Sequence, residues 1–144
     1  MHMMSEKGWE VHYASMGEEE ILDCDKSFVV PFTRSPFRLS NITAYRQLKK
    51  IINQENYDII HTHTPMGSVV TRLAAKKARK NGTKIIYTAH GFHFFKGAPL
   101  LNWLIYYPVE RLMARHTDTL ITINKEDYHR AKKQFKTNII YMPG

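Results

Sequence analysis

Two groups of histidines carry the chemistry this sequence offers. The first is His61-Thr62-His63-Thr64-Pro65; the second is His90-Gly91-Phe92-His93, with Lys96 close behind. Side chains two residues apart on a strand share a face, so His61 and His63 are expected to point the same way. A histidine at a strand's end followed by glycine, as in His90-Gly91, lets backbone approach a ligand closely while the imidazole donates or accepts a hydrogen bond. Pro65 suits the first turn of a helix, whose free amides favour an anion such as phosphate, or a sugar hydroxyl. Plainer roles stand beside these: a packed or turn-bonded His61, a His90 that bridges two loops, and a Lys96 that is simply an exposed loop lysine. Four imidazoles also raise the question of a metal. Neither loop contains Asp or Glu, and Asp58 lies inside a strand, so the donor set is poor for zinc and no metal ligand is assigned.

The elements around these groups must place them together. Residues 1–7 read as the tail of a helix closed by Gly8, and Trp9–Ser15 then alternates as a strand does. Met16–Lys26 is acidic and irregular. Phe28–Phe32 is a second strand, at an edge because of Pro31. Ser40 is a candidate cap for a helix over Asn41–Asn56, with Ile42, Tyr45, Leu48, Ile51 and Ile52 as its apolar stripe. Tyr57–His63 follows as a strand with Ile59 and Ile60 buried. A helix starts at Pro65 and ends at Gly82. Lys84–His90 begins with a continuous apolar run, the mark of a strand buried on both faces.

Leu100–Arg115 has helical spacing through Leu101, Leu104, Ile105, Val109, Leu112 and Met113. Pro108 removes a bond to the Leu104 carbonyl and should kink it. That stripe reads first as a core face. The second reading, with Trp103, Tyr106, Tyr107, Arg111 and Arg115, is a membrane-surface helix. Leu120–Ile123 is a strand, Asn124 and Asp127 form a cap pair for a helix through Phe135, and Asn138–Met142 is the last strand. Strands alternating with helices through short loops mean an α/β, doubly wound, mostly parallel sheet. In such sheets ligands sit beyond the carboxyl ends of the strands, where both histidine groups fall.

A chain of 144 residues fits a single domain spanning residues 1–144, and its 43% hydrophobic and 24% charged content is ordinary for a globular protein. There is no apolar run of membrane-spanning length and no basic-then-apolar leader. One cysteine, Cys24, excludes an intramolecular disulfide and fits a reducing compartment, so a cytoplasmic location is expected. The net charge of +8 suits phosphate groups, lipid head groups or a membrane surface. Without exposed aromatics among the basic residues, nucleic acid is not an expected partner. Lys76, Lys77, Arg79 and Lys80 crowd one helix end, where cations complement the macrodipole and face water. The sequence has no dinucleotide-binding glycine fingerprint, Walker loop, serine nucleophile elbow or zinc-spaced cysteine set.

Three motifs together carry a family resemblance: Tyr57-Asp58-Ile59-Ile60-His61 with His63-Thr64-Pro65, then Thr88-Ala89-His90-Gly91-Phe92, then Ile121-Thr122-Ile123-Asn124. From Gly8 to Gly144 the chain resembles the N-terminal domain of family 4 (GT-B) glycosyltransferases of bacterial capsule and exopolysaccharide synthesis. The resemblance implies a Rossmann-like half of a two-domain enzyme that moves a sugar from a nucleotide-sugar to a polysaccharide or a polyprenyl-linked saccharide. It implies a retaining reaction without metal, no cofactor beyond the nucleotide-sugar co-substrate, and a donor bound mainly by a second domain. His90 would lie beside the transferring sugar. His63, Thr64, Gly67, Gly91, His93, Lys96 and Asn124 would line the acceptor side.

The family's first strand and glycine loop would precede Met1, and the donor domain would follow Gly144, so the chain reads as a fragment that is inactive alone. Without a first strand, the strands at Trp9 and Tyr57 must pair directly or expose open edges, which invites self-association. Peripheral contact with the inner face of the plasma membrane is a further expectation. A nucleotide-sugar epimerase of the same architecture and a non-enzymatic anion-binding module are the alternatives.

Overall fold

The computed structural model describes residue 4, residues 6–17 and residues 24–144; the expectations for residues 1–3 and 5, and most of the acidic loop, lie outside the described residues. The described elements run β1 (His12–Ser15), β2 (Lys26–Val29), α1 (Ser40–Glu55), β3 (Ile59–Thr62), α2 (Pro65–Ala74), α3 (Lys76–Lys80), β4 (Lys84–Ala89), α4 (Leu100–Ala114), β5 (Thr119–Thr122), α5 (Lys125–Gln134) and β6 (Asn138–Tyr141). Every pairing is parallel, as expected for an α/β protein whose strands are separated by helices. The strands form two sheets: a β1–β2 pair and a four-stranded β3–β4–β5–β6 sheet.

The division follows the second of the two outcomes set out above. The strands at Trp9 and Tyr57 do not pair, and the gap between them is bridged by side chains. Tyr57 Oη lies 2.7 Å from His12 Nδ1, and His12 Nε2 lies 2.7 Å from Glu10 Oε1. Burial, with Glu55 and then Glu10 adding to it, pushes the Tyr57 pKa up to about 12, so the phenol stays protonated and can donate to the imidazole. A cleft of about 380 Å³ opens here, lined by residues that include Trp9, His12, Glu55, Tyr57 and Ile59.

Two apolar clusters make up the core. Val30, Ala44, Leu48, Ile52, Val70, Ala74, Ala75 and Ile85 form one, where α1 packs on α2 and the β1–β2 pair is anchored through Ala14 and Phe28. The other gathers Tyr87, Ala89, Phe92, Phe94, Ala114, Leu120, Ala131, Phe135 and Ile139, with Trp103, Tyr106 and Tyr107 packed against them. β4 contributes to both through Ile85, Tyr87 and Ala89, alternate residues that share one face of the strand.

Several local expectations need correction. The first strand starts at His12, and Trp9 is exposed beside the cleft. The second lies at Lys26–Val29, ahead of Pro31, which cannot donate to a ladder. Ser40 does not cap α1; Leu39 occupies the N-cap, and the buried Ser40 hydroxyl has no hydrogen-bond partner. Ile42 and Ile59 are exposed, Ile59 because β3 is an edge strand facing the cleft. The largest revision concerns α4. Leu101, Leu104 and Leu112 point to solvent, while Trp103, Tyr106, Tyr107, Met113 and Ala114 take the core side.

The sequence reading also missed a buried ion pair. Arg72 on α2 is 1% exposed and Glu110 on α4 is 7% exposed, and they meet at 3.0 Å. The guanidinium also lies 4.4 Å from the Tyr87 ring centroid, so the pair bolts two helices together beside β4. Desolvating both charges is tolerable only because each has its partner.

Candidate functional site

The carboxyl ends of β3 and β4 bring three histidines together. The register places Ile59 beside Lys84 and Thr62 beside Tyr87, so the residues after each strand emerge side by side. The His61 and His63 rings are 4.2 Å apart between centroids, and His63 and His90 are 5.8 Å apart. The expectation that His61 and His63 share a face and meet His90 therefore holds. All three residues remain accessible to solvent.

His61 is the anchor of this row. Its Nε2 lies 2.9 Å from the hydroxyl of the buried Thr88, one strand away. Partial desolvation between the strand ends, with His63 adding to it, lowers the His61 pKa to about 4. The part of the residue that stays open to water limits that effect. His63 is shifted the same way, by desolvation first and by His90 second. A neutral imidazole keeps both a donor and an acceptor, which suits sugar hydroxyls and phosphate oxygens without the cost of stacking like charges.

The turn after His63 leads straight into α2. Thr64 is extended, Pro65 opens the helix, and the Ser68 amide bonds to the Thr64 carbonyl. Gly67 sits where a Cβ would collide with Thr64 Oγ1, so any larger residue would push the Thr64 side chain out of place. Free amides at the start of α2 thus adjoin His63, an arrangement that favours a negatively charged group.

The second loop is held from below. Gly91 has φ +152°, a region that side-chain-bearing residues rarely adopt. The Phe92 amide donates to Asp127 Oδ2 at 2.9 Å, and Asp127 is buried at the start of α5. Asn124 Oδ1 accepts from the Asp127 amide and Asn124 Nδ2 donates to Asp127 Oδ2, each at 2.8 Å. The cap pair read from the sequence is confirmed, and it does more than cap: it fixes the turn after His90. The sequence signal for Asp127 was present, but only the fold shows that the Oδ2 that meets Asn124 also reaches a loop 35 residues away.

Three candidate residues fall elsewhere. Asn124 is committed to that cap. The His93 ring packs 4.6 Å from Tyr106, and its carbonyl accepts from Asn102 of α4, which turns it toward the helix. The Lys96 amide donates to Glu126 Oε1, tying the loop to α5, and its residue is exposed. Thr88 stands in one of the family motifs, but its contact with His61 depends on strand register and is visible only in the structure. Among the described residues, one set offers three potential metal-ligand atoms within 4.8 Å of one another: Glu10, His12 and Glu55, on the cleft side of the molecule.

The glycosyl transferase 4-like family model matches residues 1–124. The chain belongs to the glycosyl transferase 4-like family. It is 58% identical over 125 residues to a putative glycosyltransferase EpsD of Bacillus subtilis (strain 168), a match covering 87% of this chain and 33% of that protein. It is 30% identical over 106 residues to an Escherichia coli UDP-Gal:alpha-D-GlcNAc-diphosphoundecaprenol alpha-1,3-galactosyltransferase, covering 73% of this chain and 27% of that one. A Klebsiella pneumoniae uncharacterized 41.2 kDa protein in the cps region is 27% identical over 100 residues, covering 67% of this chain and 28% of that protein. The matches span 27–33% of the length of these curated relatives. Family membership and the all-parallel strand pairing agree with the expected Rossmann-like α/β fold.

Proposed function

We propose that this chain is the acceptor-side domain of a retaining hexosyltransferase, and that the row His61–His63–His90 is where the acceptor and the transferring sugar meet. One observation carries the reading: three imidazoles from two adjacent parallel strands converge beside the N-terminus of α2. His63 and the α2 amides take the phosphate of a lipid-linked saccharide, with Thr64 and Gly67 shaping that turn. His90 donates a hydrogen bond next to the transferring sugar, where charge builds on the leaving phosphate. Gly91 lets the loop come close, and Asp127 holds it there. The E. coli relative is named for a diphosphoundecaprenol acceptor, which supports this acceptor class.

The nucleotide-sugar is held by residues outside this chain, no metal takes part, and the protein works in the cytoplasm at the inner membrane face. Alone, the chain binds acceptor without transferring sugar. The open edges of β1 and β3 give a second copy a place to pair, and light scattering that shows only monomer at high concentration contradicts that part. The acceptor assignment is tested by titrating the protein with a short-chain, water-soluble polyprenyl diphosphate N-acetylglucosamine. His63→Ala is expected to weaken binding by about tenfold, as loss of a hydrogen bond to a charged group does, and His90→Ala by less, since the charge it faces arrives with the nucleotide-sugar. Unchanged binding in both removes the role given to the row.

A further inference from the structure

The gap between β1 and β3 holds a group of side chains that the acceptor site does not use. Glu10 and His12 come from β1 and the residues just before it, and Glu55 ends α1. They meet at the amino ends of β1 and β3, whereas the histidine row lies at the carboxyl ends of β3 and β4. Each of the three offers one ligand atom, an imidazole nitrogen or a carboxylate oxygen, within 4.8 Å of the other two. The cleft of about 380 Å³ that they line leaves room for water to complete a coordination shell.

The central donor is held in place by the fold. The His12 side chain is 6% exposed. Its ring packs edge-on against Tyr57, with centroids 5.2 Å apart, and against Phe28 at 5.8 Å. Tyr57 Oη lies 2.7 Å from Nδ1, and Nε2 faces Glu10 Oε1 at 2.7 Å. Histidines that ligate metals are oriented in this way, by a hydrogen bond at the ring nitrogen that does not bind the ion. Zinc–ligand bonds of about 2.0–2.2 Å set neighbouring ligand atoms about 3.3 Å apart, so carboxylate movements of about 1 Å close the set. Glu10 can make such a movement, since its side chain is 68% exposed.

The position already attracts a cation. Lys26 Nζ lies 2.8 Å from Glu55 Oε2, and the lysine side chain is 49% exposed. An exposed ammonium leaves such a pair at small cost and gives way to an ion that binds three donors at once. One imidazole with two carboxylates suits a divalent transition ion. Calcium and magnesium, which take oxygen donors, are served less well.

We infer that Glu10, His12 and Glu55 bind a divalent transition-metal ion of the zinc class, which clamps the β1–β2 pair to the four-stranded sheet and its helices. No ladder joins β1 to β3, so ligands from β1 on one side and from α1 on the other connect what the backbone leaves apart. The ion takes no part in sugar transfer. The inference therefore stands apart from the acceptor reading, which uses none of these residues.

The test is calorimetric titration of the metal-stripped protein with zinc chloride, with magnesium and calcium chloride in parallel. A single equivalent of zinc is expected to bind, and magnesium and calcium at least about a hundredfold more weakly. His12→Gln and Glu10→Gln are each expected to lower zinc affinity by about tenfold or more, and the exposed Glu10 position keeps that variant folded. Lys26→Met is expected to raise the affinity several-fold, because the competing ammonium is gone. His63→Ala/His90→Ala is expected to bind zinc like the parent, which separates this site from adventitious binding at the histidine row. Zinc is also expected to slow hydrogen exchange in β1 and β2 and to leave β4 and β5 unchanged. Absence of zinc binding overturns the inference. So does unchanged affinity in Glu10→Gln or His12→Gln, or loss of binding in His63→Ala/His90→Ala. Binding without slower exchange in β1 and β2 overturns the clamp.

Discussion

The four-stranded sheet and the β1–β2 pair are held to the molecule by different physics. From β3 to β6 each strand pairs with the next through a parallel ladder, and the helices that connect these strands add a buried ion pair and a doubly used aspartate. Between β1 and β3 there is no ladder. A tyrosine–histidine contact, an exposed Lys26–Glu55 pair and part of one apolar cluster hold the two sheets together. The histidine row belongs to the first kind of structure and borders the second, since β3 supplies two of its rings and is also the open edge. Precise placement of the site therefore depends on the β3–β4 ladder, and the cleft side is free to be looser.

The sharpest way to break that contrast is at the ion pair. Glu110→Ala leaves the Arg72 guanidinium buried without its carboxylate, and a loss of about 3–5 kcal/mol in a urea titration is expected. Removing Glu55 at the cleft, where the partner is solvent-exposed, should be hard to detect by the same measurement. Equal losses would mean that the two regions are held alike.

Next comes Asp127→Ala, expected to cost about 1–3 kcal/mol because the Phe92 amide loses its acceptor in a buried setting. Its distinguishing sign is faster hydrogen exchange at Phe92 together with weaker acceptor binding, while the β1–β2 amides stay as they were. Tyr57→Phe should cost about 1 kcal/mol or less, with faster exchange confined to β1 and β2.

The smallest effect is a pH dependence. His61 has a folded pKa of about 4 against an ordinary 6.5, so between those values the unfolded chain binds more protons than the folded one. Its contribution is fully present above about pH 6.5 and is lost as pH falls toward 4. The His61→Gln variant should show a shallower fall in stability over that window than the parent. A parallel fall in both proteins would place the titration elsewhere.

How much of this was legible in the sequence depended on whether the signal was local. The alternation of strands and helices, the Asn124–Asp127 cap and the shared face of His61 and His63 follow from spacing along a few residues, and the structure shows each of them. The leucine stripe of α4 misled because periodicity says that one face is apolar without saying that the other, aromatic, face is the one buried. Ile59 was read as core because an apolar run looks the same in a central strand and in an edge strand. Arg72 with Glu110, and Thr88 with His61, could not be paired in advance: each joins elements far apart in the chain, and only helix packing in the first case and sheet register in the second brings them into reach.

The central claim is that the strand ends of β3 and β4 form one acceptor-binding row. Histidine side-chain NMR during titration with the short-chain diphosphate sugar tests it most directly. The resonances of His63 and His90 are expected to shift together and saturate at a common concentration, while His12 and His116 stay still. Saturable binding that leaves His63 and His90 unmoved would contradict the account.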